Sequence, residues 1–346
     1  TVRLSLNRPD GTLFDSLTSR LAMLPPQYFE EVGAEGFAAA PVGTGPFSFV
    51  EWMPDDHITL VANENYWEGS YKGMPMVDTV VFRPIPEAAT RAAELEAGGV
   101  HIIQDVTPDQ MDDLEEAGLV VVPDEAFQLQ YVFFITDDES LPTHDVRVRQ
   151  ALNYAVDYNG IIDYVLQGNG VQMRGPVPKG MWGHNPSVFQ YGRDVDKAKN
   201  LLKEAGYAKG LDLKLIYSER RPSWEQIATI LQSNFSDIGV NLKLELMANP
   251  TLRDKIDRGD FELCLGAWSP DYADPSMFMN FWFDSKNGGL PGNRSFYKND
   301  TVDGLIRKAL AMSDQKERTN LYSKAQDIIM AEAPYIFLYQ TQTIVP

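Results

Sequence analysis

The sequence has 346 residues, with 30 basic and 49 acidic side chains and a formal net charge of −19. Nucleic acid is excluded as the main partner, because phosphate backbones select basic surfaces. The charge mainly reflects solvated surface and mildly favours cationic solutes. No apolar run approaches the roughly 18 residues that a membrane-spanning helix needs, so no span is predicted.

The first third of the chain contains short apolar runs separated by turn residues. Thr107 is expected to cap a helix that has Pro108 at its first position. Alternating apolar residues predict strands, and alanine- or leucine-rich segments predict helices. The strands are predicted at residues 2–6, 47–50, 58–62, 77–82 and 100–106, and the helices at 13–24 and 86–97.

The second half of the chain has longer and more regular elements. Asp145 and Asp194 each precede an amphipathic helix and are expected to cap it. Further on, three strands alternate with helices that begin near Ser223 and Asn249. This β-α-β-α-β order predicts right-handed crossovers and a mainly parallel sheet. The three strands are predicted at residues 211–217, 240–247 and 261–268.

Polar and aromatic side chains follow two of these predicted strands. In parallel sheets, ligands bind outside the carboxyl ends of the strands. Arg220 and Arg221 follow the first strand, and Trp268, Asp271 and Tyr272 come at the end of the third. These five residues are the predicted ligand-binding set, with cations and an anion at one edge. The competing interpretation is an Asp/Pro turn whose carboxylates bond nearby backbone N–H groups.

Other chemistries have weaker support in the sequence. No cofactor or metal site is predicted, because the histidines are scattered and form no paired-ligand spacing. Cys264 lies inside an apolar run without a local base, which indicates a core residue. Asp271 and Asp274 could form a hydrolase acid pair, but their shared turn favours one ligand carboxylate and one turn-former. The histidines are His57, His101, His144 and His184.

Five segments spread along the chain match the pattern of one family. On these segments the sequence resembles the family 5 extracytoplasmic solute-binding proteins of ABC transporters, the group of the dipeptide- and oligopeptide-binding proteins. The segments are PVGTGPFSF (41–49), NENYWEG (63–69), VRQALNYAVDYNGII (148–162), DVDKAKNLLKEAGY (194–207) and GAWSPDYADPSMFMN (266–280).

The resemblance implies an α/β, two-lobed periplasmic-binding-protein-like fold of class II, the large peptide-binding type, which closes on its ligand. By this likeness, residues 1–130 form part of lobe I, residues 131–335 form lobe II, and residues 336–346 return toward lobe I. The chain is expected to be a fragment that lacks the family's N-terminal portion and extreme C-terminus. Uncovered apolar surface is therefore expected in the first lobe.

The resemblance also implies a non-enzymatic receptor of an ABC importer, periplasmic or at the cell surface, monomeric, with a membrane permease as its partner. Peptides are the implied ligands, held between the lobes. Asp271 is implied to hold the α-amino group, Trp268 to pack beside the ligand, and Arg221 or Arg220 to receive the carboxylate. An oligosaccharide, a nickel or other metal complex, or another small solute remains an alternative, as does a hydrolase using Asp271 and Asp274.

Overall fold

The computed structural model describes residues 3–19, 22–71, 73–104, 106, 108–124, 127–221, 223–341 and 343–345. The strands are β1 (Phe47–Met53), β2 (His57–Ala62), β3 (Thr79–Phe82), β4 (Val122–Asp124), β5 (Leu129–Phe134), β6 (Gly170–Gln172), β7 (Leu211–Ser218), β8 (Val240–Met247), β9 (Leu263–Trp268), β10 (Tyr335–Thr341) and β11 (Thr343–Val345). The helices are α1 (Leu13–Ser19), α2 (Pro26–Ala39), α3 (Ala88–Glu96), α4 (Pro108–Glu116), α5 (Val146–Ala155), α6 (Tyr158–Leu166), α7 (Val195–Glu204), α8 (Ser223–Ser236), α9 (Asn249–Arg258), α10 (Ser276–Phe283), α11 (Asp300–Leu310) and α12 (Gln315–Glu332).

The chain separates into two compact units, which are described separately here. The larger unit comprises Thr1–Asp15 and Val121–Val345, and the smaller unit comprises Ser16–Val120. The predicted lobe boundaries at residues 130 and 335 stay a prediction.

The larger unit is built on a six-stranded sheet with the order β6-β10-β5-β9-β7-β8. β7 pairs in parallel with both β8 and β9, as the predicted β-α-β-α-β order requires. The remaining neighbours, β9 with β5, β5 with β10 and β10 with β6, are antiparallel. The prediction of a mainly parallel sheet is therefore wrong for the whole sheet, because β5, β6 and β10 join it with antiparallel pairing. The parallel part is confined to the three predicted strands.

Burial along the strands follows their position in the sheet. Every residue of β5 is buried, because both faces of this central strand are covered. On edge strand β8, by contrast, buried and exposed residues alternate over its first half.

Two predicted caps fix neighbouring helices. Asp145 accepts a hydrogen bond from the Arg147 N–H, and Asp194 accepts one from the Lys197 N–H.

Aromatic side chains fill the core beside β5 and β10. Trp282 stacks on Tyr335 with ring centroids 5.6 Å apart, and its ring lies 4.8 Å from that of Tyr131. Cys264 on β9 is fully buried next to this cluster, and burial raises the pKa of its thiol. This burial confirms the prediction that Cys264 is a core residue. A buried, protonated thiol is also a poor nucleophile.

The smaller unit contains the antiparallel sheet β1-β2-β3 together with α2, α3 and α4. None of the residues in these three strands is buried. Large apolar side chains are exposed on the sheet, with Trp52 at 51% and Phe82 at 57% of their full exposure. The few buried apolar residues of this unit include Ala92, Leu95 and Leu114 on its helices.

Two predicted strands of the N-terminal region are wrong, and one predicted helix is present but shorter than expected. Residues 3–6, 100–104 and 106 form no strand, and the helix predicted over residues 13–24 ends at Ser19. A short apolar run becomes a strand only when a neighbouring strand takes up its backbone hydrogen bonds, and sequence periodicity cannot supply that partner. The predicted cap Thr107 lies outside the described residues.

Gly266 on β9 tests how tightly the sheet packs. A Cβ atom there would lie 2.5 Å from a ring carbon of the fully buried Tyr131. We expect Gly266→Ala to lower the free energy of unfolding by about 1–3 kcal/mol, because the ring has no room to move. Urea unfolding followed by circular dichroism measures the change.

Gly304 is the matched control for this substitution. It lies within helix α11, is exposed, and has nothing within 4 Å of an added Cβ atom. Gly304→Ala should therefore raise the free energy of unfolding by about 0.5–1 kcal/mol, through helix propensity and a less flexible unfolded chain. If Gly266→Ala is as stable as the unmutated protein, or gains stability as Gly304→Ala does, the close approach at Gly266 is refuted.

Candidate functional site: an arginine-lined pocket at the sheet edge

A pocket of about 170 Å³ lies in the larger unit at the carboxyl ends of β7 and β9. The beginnings of helices α8 and α9, which follow β7 and β8, form part of its wall. Its lining residues are Phe133, Arg220, Arg221, Trp224, Asn249, Leu252, Arg253, Ile256, Leu265, Gly266, Ala267, Trp268, Leu290 and Arg294.

Two predicted site residues, Arg220 and Arg221, lie in the turn between β7 and α8. The backbone N–H of Arg220 faces the Ser218 hydroxyl oxygen at 3.4 Å, and its side chain is exposed. Arg221 is half-buried. With the Gln128 amide oriented so that its oxygen accepts, that oxygen lies 3.0 Å and 3.1 Å from the two terminal nitrogens of Arg221. This amide orients the Arg221 guanidinium at the pocket wall. Pro222, which the resemblance pairs with Arg221, lies outside the described residues.

Trp268, the third predicted residue in the pocket, ends strand β9. Its ring stacks on Phe281 with centroids 4.6 Å apart, and the Arg294 guanidinium carbon lies 5.4 Å from its centroid on the pocket side. The indole N–H is buried and has no hydrogen-bond partner among the described residues. Held between an aromatic ring and a cation, Trp268 forms a rigid wall that keeps water from one side of the pocket.

The pocket floor is fixed by a polar contact and an aromatic layer. The Trp224 indole N–H donates to the Gln130 side-chain oxygen at 2.8 Å, which anchors the first turn of α8 to β5. Beneath the pocket, burial raises the pKa of Tyr131 to about 12, so the phenol stays neutral at physiological pH. The charge of the pocket therefore comes from its arginines.

Sequence reasoning missed two of these arginines, Arg253 and Arg294. Arg253 lies on α9 and is exposed; Arg294 lies in the segment between α10 and α11, is half-buried, and donates from Nε to the Leu290 carbonyl at 3.2 Å. No local motif marks either residue. The sequence did predict the parallel arrangement of β7, β8 and β9. Because α9 follows β8, this arrangement was the one signal that could have placed Arg253 near the site.

The two other predicted residues, Asp271 and Tyr272, are not among the pocket lining. Asp271 is exposed, three residues beyond the end of β9. Tyr272 is half-buried and packs against the core of the larger unit. The structure thus brings Arg220, Arg221 and Trp268 together, while the ligand-binding roles of Asp271 and Tyr272 stay predictions.

Asp274, the second acidic residue of the same turn, is buried in an ion pair. Its carboxylate lies 2.8 Å from the Arg318 guanidinium of α12, and both side chains are at most 4% exposed. The same Asp274 oxygen accepts from the Ser276 N–H at the start of α10. The prediction that Asp274 is a turn-former is confirmed, and its ion pair also ties the turn to α12.

The structure also bears on metal binding and on membrane insertion. The described part of the chain holds no group of three or more His, Cys, Asp or Glu side chains arranged to bind a metal ion. Within the same ranges, every helix is too short or too polar to cross a bilayer.

Comparison with known sequences gives the family. The profile of the bacterial extracellular solute-binding proteins, family 5 Middle, matches residues 1–289. The chain therefore belongs to family 5 of the bacterial extracellular solute-binding proteins, as the sequence segments indicated.

Individual relatives agree with this family. The chain is 37% identical to the probable D,D-dipeptide-binding periplasmic protein DdpA of Escherichia coli, over 98% of its own length and 66% of that protein. It is 32% identical to heme-binding protein A of Haemophilus influenzae, over 97% and 62%. The chain thus spans a little under two thirds of the length of these curated relatives.

A solved structure confirms the predicted fold class. The periplasmic binding protein DppA of Helicobacter pylori, in complex with the peptide STSA, superposes with a TM-score of 0.81 at 30% identity. The match covers 99% of this chain and 67% of that one.

The buried Asp274–Arg318 pair should dominate the stability of this turn. We expect Asp274→Asn to lower the free energy of unfolding by about 3–5 kcal/mol, because Arg318 would stay buried without its counter-ion. Denaturant unfolding of the purified protein measures the loss.

Asp137→Asn is the matched control, since it breaks a 3.0 Å pair with the exposed Lys298. That change should cost about 1 kcal/mol or less. Equal losses in the two variants would contradict a structural role specific to the buried pair.

Proposed function

We propose that the protein is the solute-binding receptor of an ABC importer, that it binds di- or oligopeptides, and that it delivers them to the membrane permease. It works outside the cytoplasm, in the periplasm or at the cell surface, as a monomer. Its role is binding without turnover. Family membership and the peptide-binding relatives support this proposal.

The observation that carries the proposal is the pocket shared by Arg220, Arg221 and Trp268. Arginine forks match a carboxylate in shape and charge, and the bonds gain strength beside an apolar wall. A peptide C-terminus supplies such a carboxylate. Two relatives are named for dipeptides: the probable D,D-dipeptide-binding periplasmic protein and the Dipeptide-binding protein. A similar solved structure contains the dipeptide Met-Leu.

We assign the ligand's α-ammonium to Asp271. Its exposed carboxylate is held three residues beyond the end of β9, so its backbone position is set by the sheet. Charge-assisted hydrogen bonds between ammonium and carboxylate are about twice as strong as neutral ones. Tyr272, next in the chain, is assigned the wall beside that ammonium.

The alternatives fit the pocket less well. A hydrolase that uses Asp271 and Asp274 as an acid pair needs both carboxylates to face the substrate, and Asp274 is committed to Arg318. A neutral oligosaccharide would leave the guanidinium groups of the pocket without an opposite charge. Relatives named for haem and glutathione carry other solutes within the same receptor class. Mass spectrometry of ligands that co-purify with the protein separates these solutes from peptides.

The amine-anchor role is tested by combining a mutation with a blocked ligand. We expect Asp271→Ala to weaken binding of a free dipeptide about 30-fold or more, because losing one partner of a charged pair costs on the order of 2 kcal/mol or more. N-acetylation of the dipeptide should cost a similar factor with the unmutated protein and little more with the variant. Isothermal titration calorimetry measures all four affinities.

Asp327→Ala is the control, because Asp327 is an exposed carboxylate on α12, outside the pocket lining. It removes the same charge and should leave the affinities unchanged. Equal affinity of the unmutated protein for free and acetylated dipeptide would refute the amine anchor. Release of a cleavage product from the dipeptide would refute the receptor and favour the hydrolase.

A further inference from the structure

Four arginines line the pocket, whereas the proposed carboxylate contact uses only two of them. Arg220 and Arg221 enter from the turn after β7, Arg253 from α9, and Arg294 from the segment before α11. Among the residues that the structure describes, the lining contains no Asp or Glu. In a chain with 49 acidic and 30 basic residues, this local excess of positive charge is opposite to the overall balance.

The acidic residues nearest in sequence bond backbone N–H groups at the pocket edge or pair with a neighbouring cation. The Glu219 carboxylate accepts from the Asn249 N–H at the start of α9, and that of Asp257 accepts from the Leu290 N–H. Asp254 pairs with Arg258. Within the described residues, neither Arg253 nor Arg294 forms an ion pair. The lining therefore carries four guanidinium groups, with the Glu219 and Asp257 carboxylates at its edge. An anionic ligand would offset the excess positive charge that remains.

The arginines fall at two positions along the sheet edge. The strand order β9-β7-β8 places Arg220 and Arg221 at the end of the middle strand, and Trp268, with Arg294 over its ring, at the end of its neighbour. Adjacent strands lie about 4.8 Å apart. The arginines therefore enter one pocket of about 170 Å³ from different segments, so the two carboxylates of one small ligand can face different guanidinium groups.

We infer that the pocket binds a dicarboxylate, and that the preferred ligand is a peptide whose C-terminal residue is acidic. Its α-carboxylate contacts Arg220 and Arg221, and its side-chain carboxylate contacts Arg294 and Arg253. This inference rests on the proposed peptide-receptor function and names the ligand class of the same pocket. It replaces the expectation from net charge that cationic solutes are favoured.

Arg294 is suited to select the second carboxylate. Its Nε bond to Leu290 and its position over Trp268 restrict the side chain, so little conformational entropy remains to be lost on binding. Its terminal nitrogens form no hydrogen bond with the described residues. Exposed Arg253, by contrast, contributes mainly through its charge.

The test compares Ala-Glu with Ala-Gln, which differ in one charge at nearly equal size. We expect the unmutated protein to bind Ala-Glu at least tenfold more tightly, about 1.4 kcal/mol. In Arg294→Gln this preference should fall to near unity, and in Arg253→Gln it should fall in part. Titration calorimetry gives the affinities, and thermal unfolding verifies that each variant is folded.

Lys199→Gln is the control, because Lys199 is an exposed cation on α7 and is not in the pocket lining. It should keep the full preference for Ala-Glu. Equal affinities for the two peptides, or a preference that survives in both Arg294→Gln and Arg253→Gln, would overturn the inference while leaving the peptide receptor intact.

Glutarate and its monoamide separate this inference from the proposed function. If neither peptide binds but glutarate binds more tightly than its monoamide and requires Arg294, the peptide-receptor function is wrong and the dicarboxylate pocket stands. If neither the peptides nor glutarate bind, both are wrong.

Discussion

The parallel pairing of β7 with β8 and β9 is the constraint on which the candidate site depends. Because the three strands run in one direction, the segments that follow them emerge at the same edge of the sheet. Arg220 and Arg221 follow β7, helix α9 follows β8, and Trp268 ends β9. An antiparallel arrangement would send these segments to opposite edges. The sheet topology therefore sets the position of the site, and side-chain contacts then shape it.

Charge is distributed unevenly around this edge. The chain as a whole is strongly acidic, yet the pocket collects guanidinium groups. Close by in sequence, the Asp274–Arg318 pair is sealed from water and serves structure, whereas Asp271 of the same turn is exposed. Two carboxylates three residues apart thus have different environments, one buried in an ion pair and the other exposed.

Much of the larger unit could be predicted from the sequence. Long strands such as β7 and β8 have strong local sequence signals, and so do the helices that follow the caps Asp145 and Asp194. The structure has these elements where they were expected. The strand predicted at residues 100–106 failed because a strand needs a partner that local pattern cannot specify. Arg294 was missed for a related reason: its position over Trp268 depends on chain segments that are distant in sequence.

The central claim is that ligand carboxylates are bound at the carboxyl edge of β7 and β9. A crystal structure of the protein with bound Ala-Glu tests it most directly. The account predicts carboxylate oxygens about 2.7–2.9 Å from guanidinium nitrogens of Arg220 or Arg221, the distance of charge-assisted hydrogen bonds. A peptide bound with its C-terminal carboxylate away from this edge, or with its ammonium group among these arginines, would contradict it.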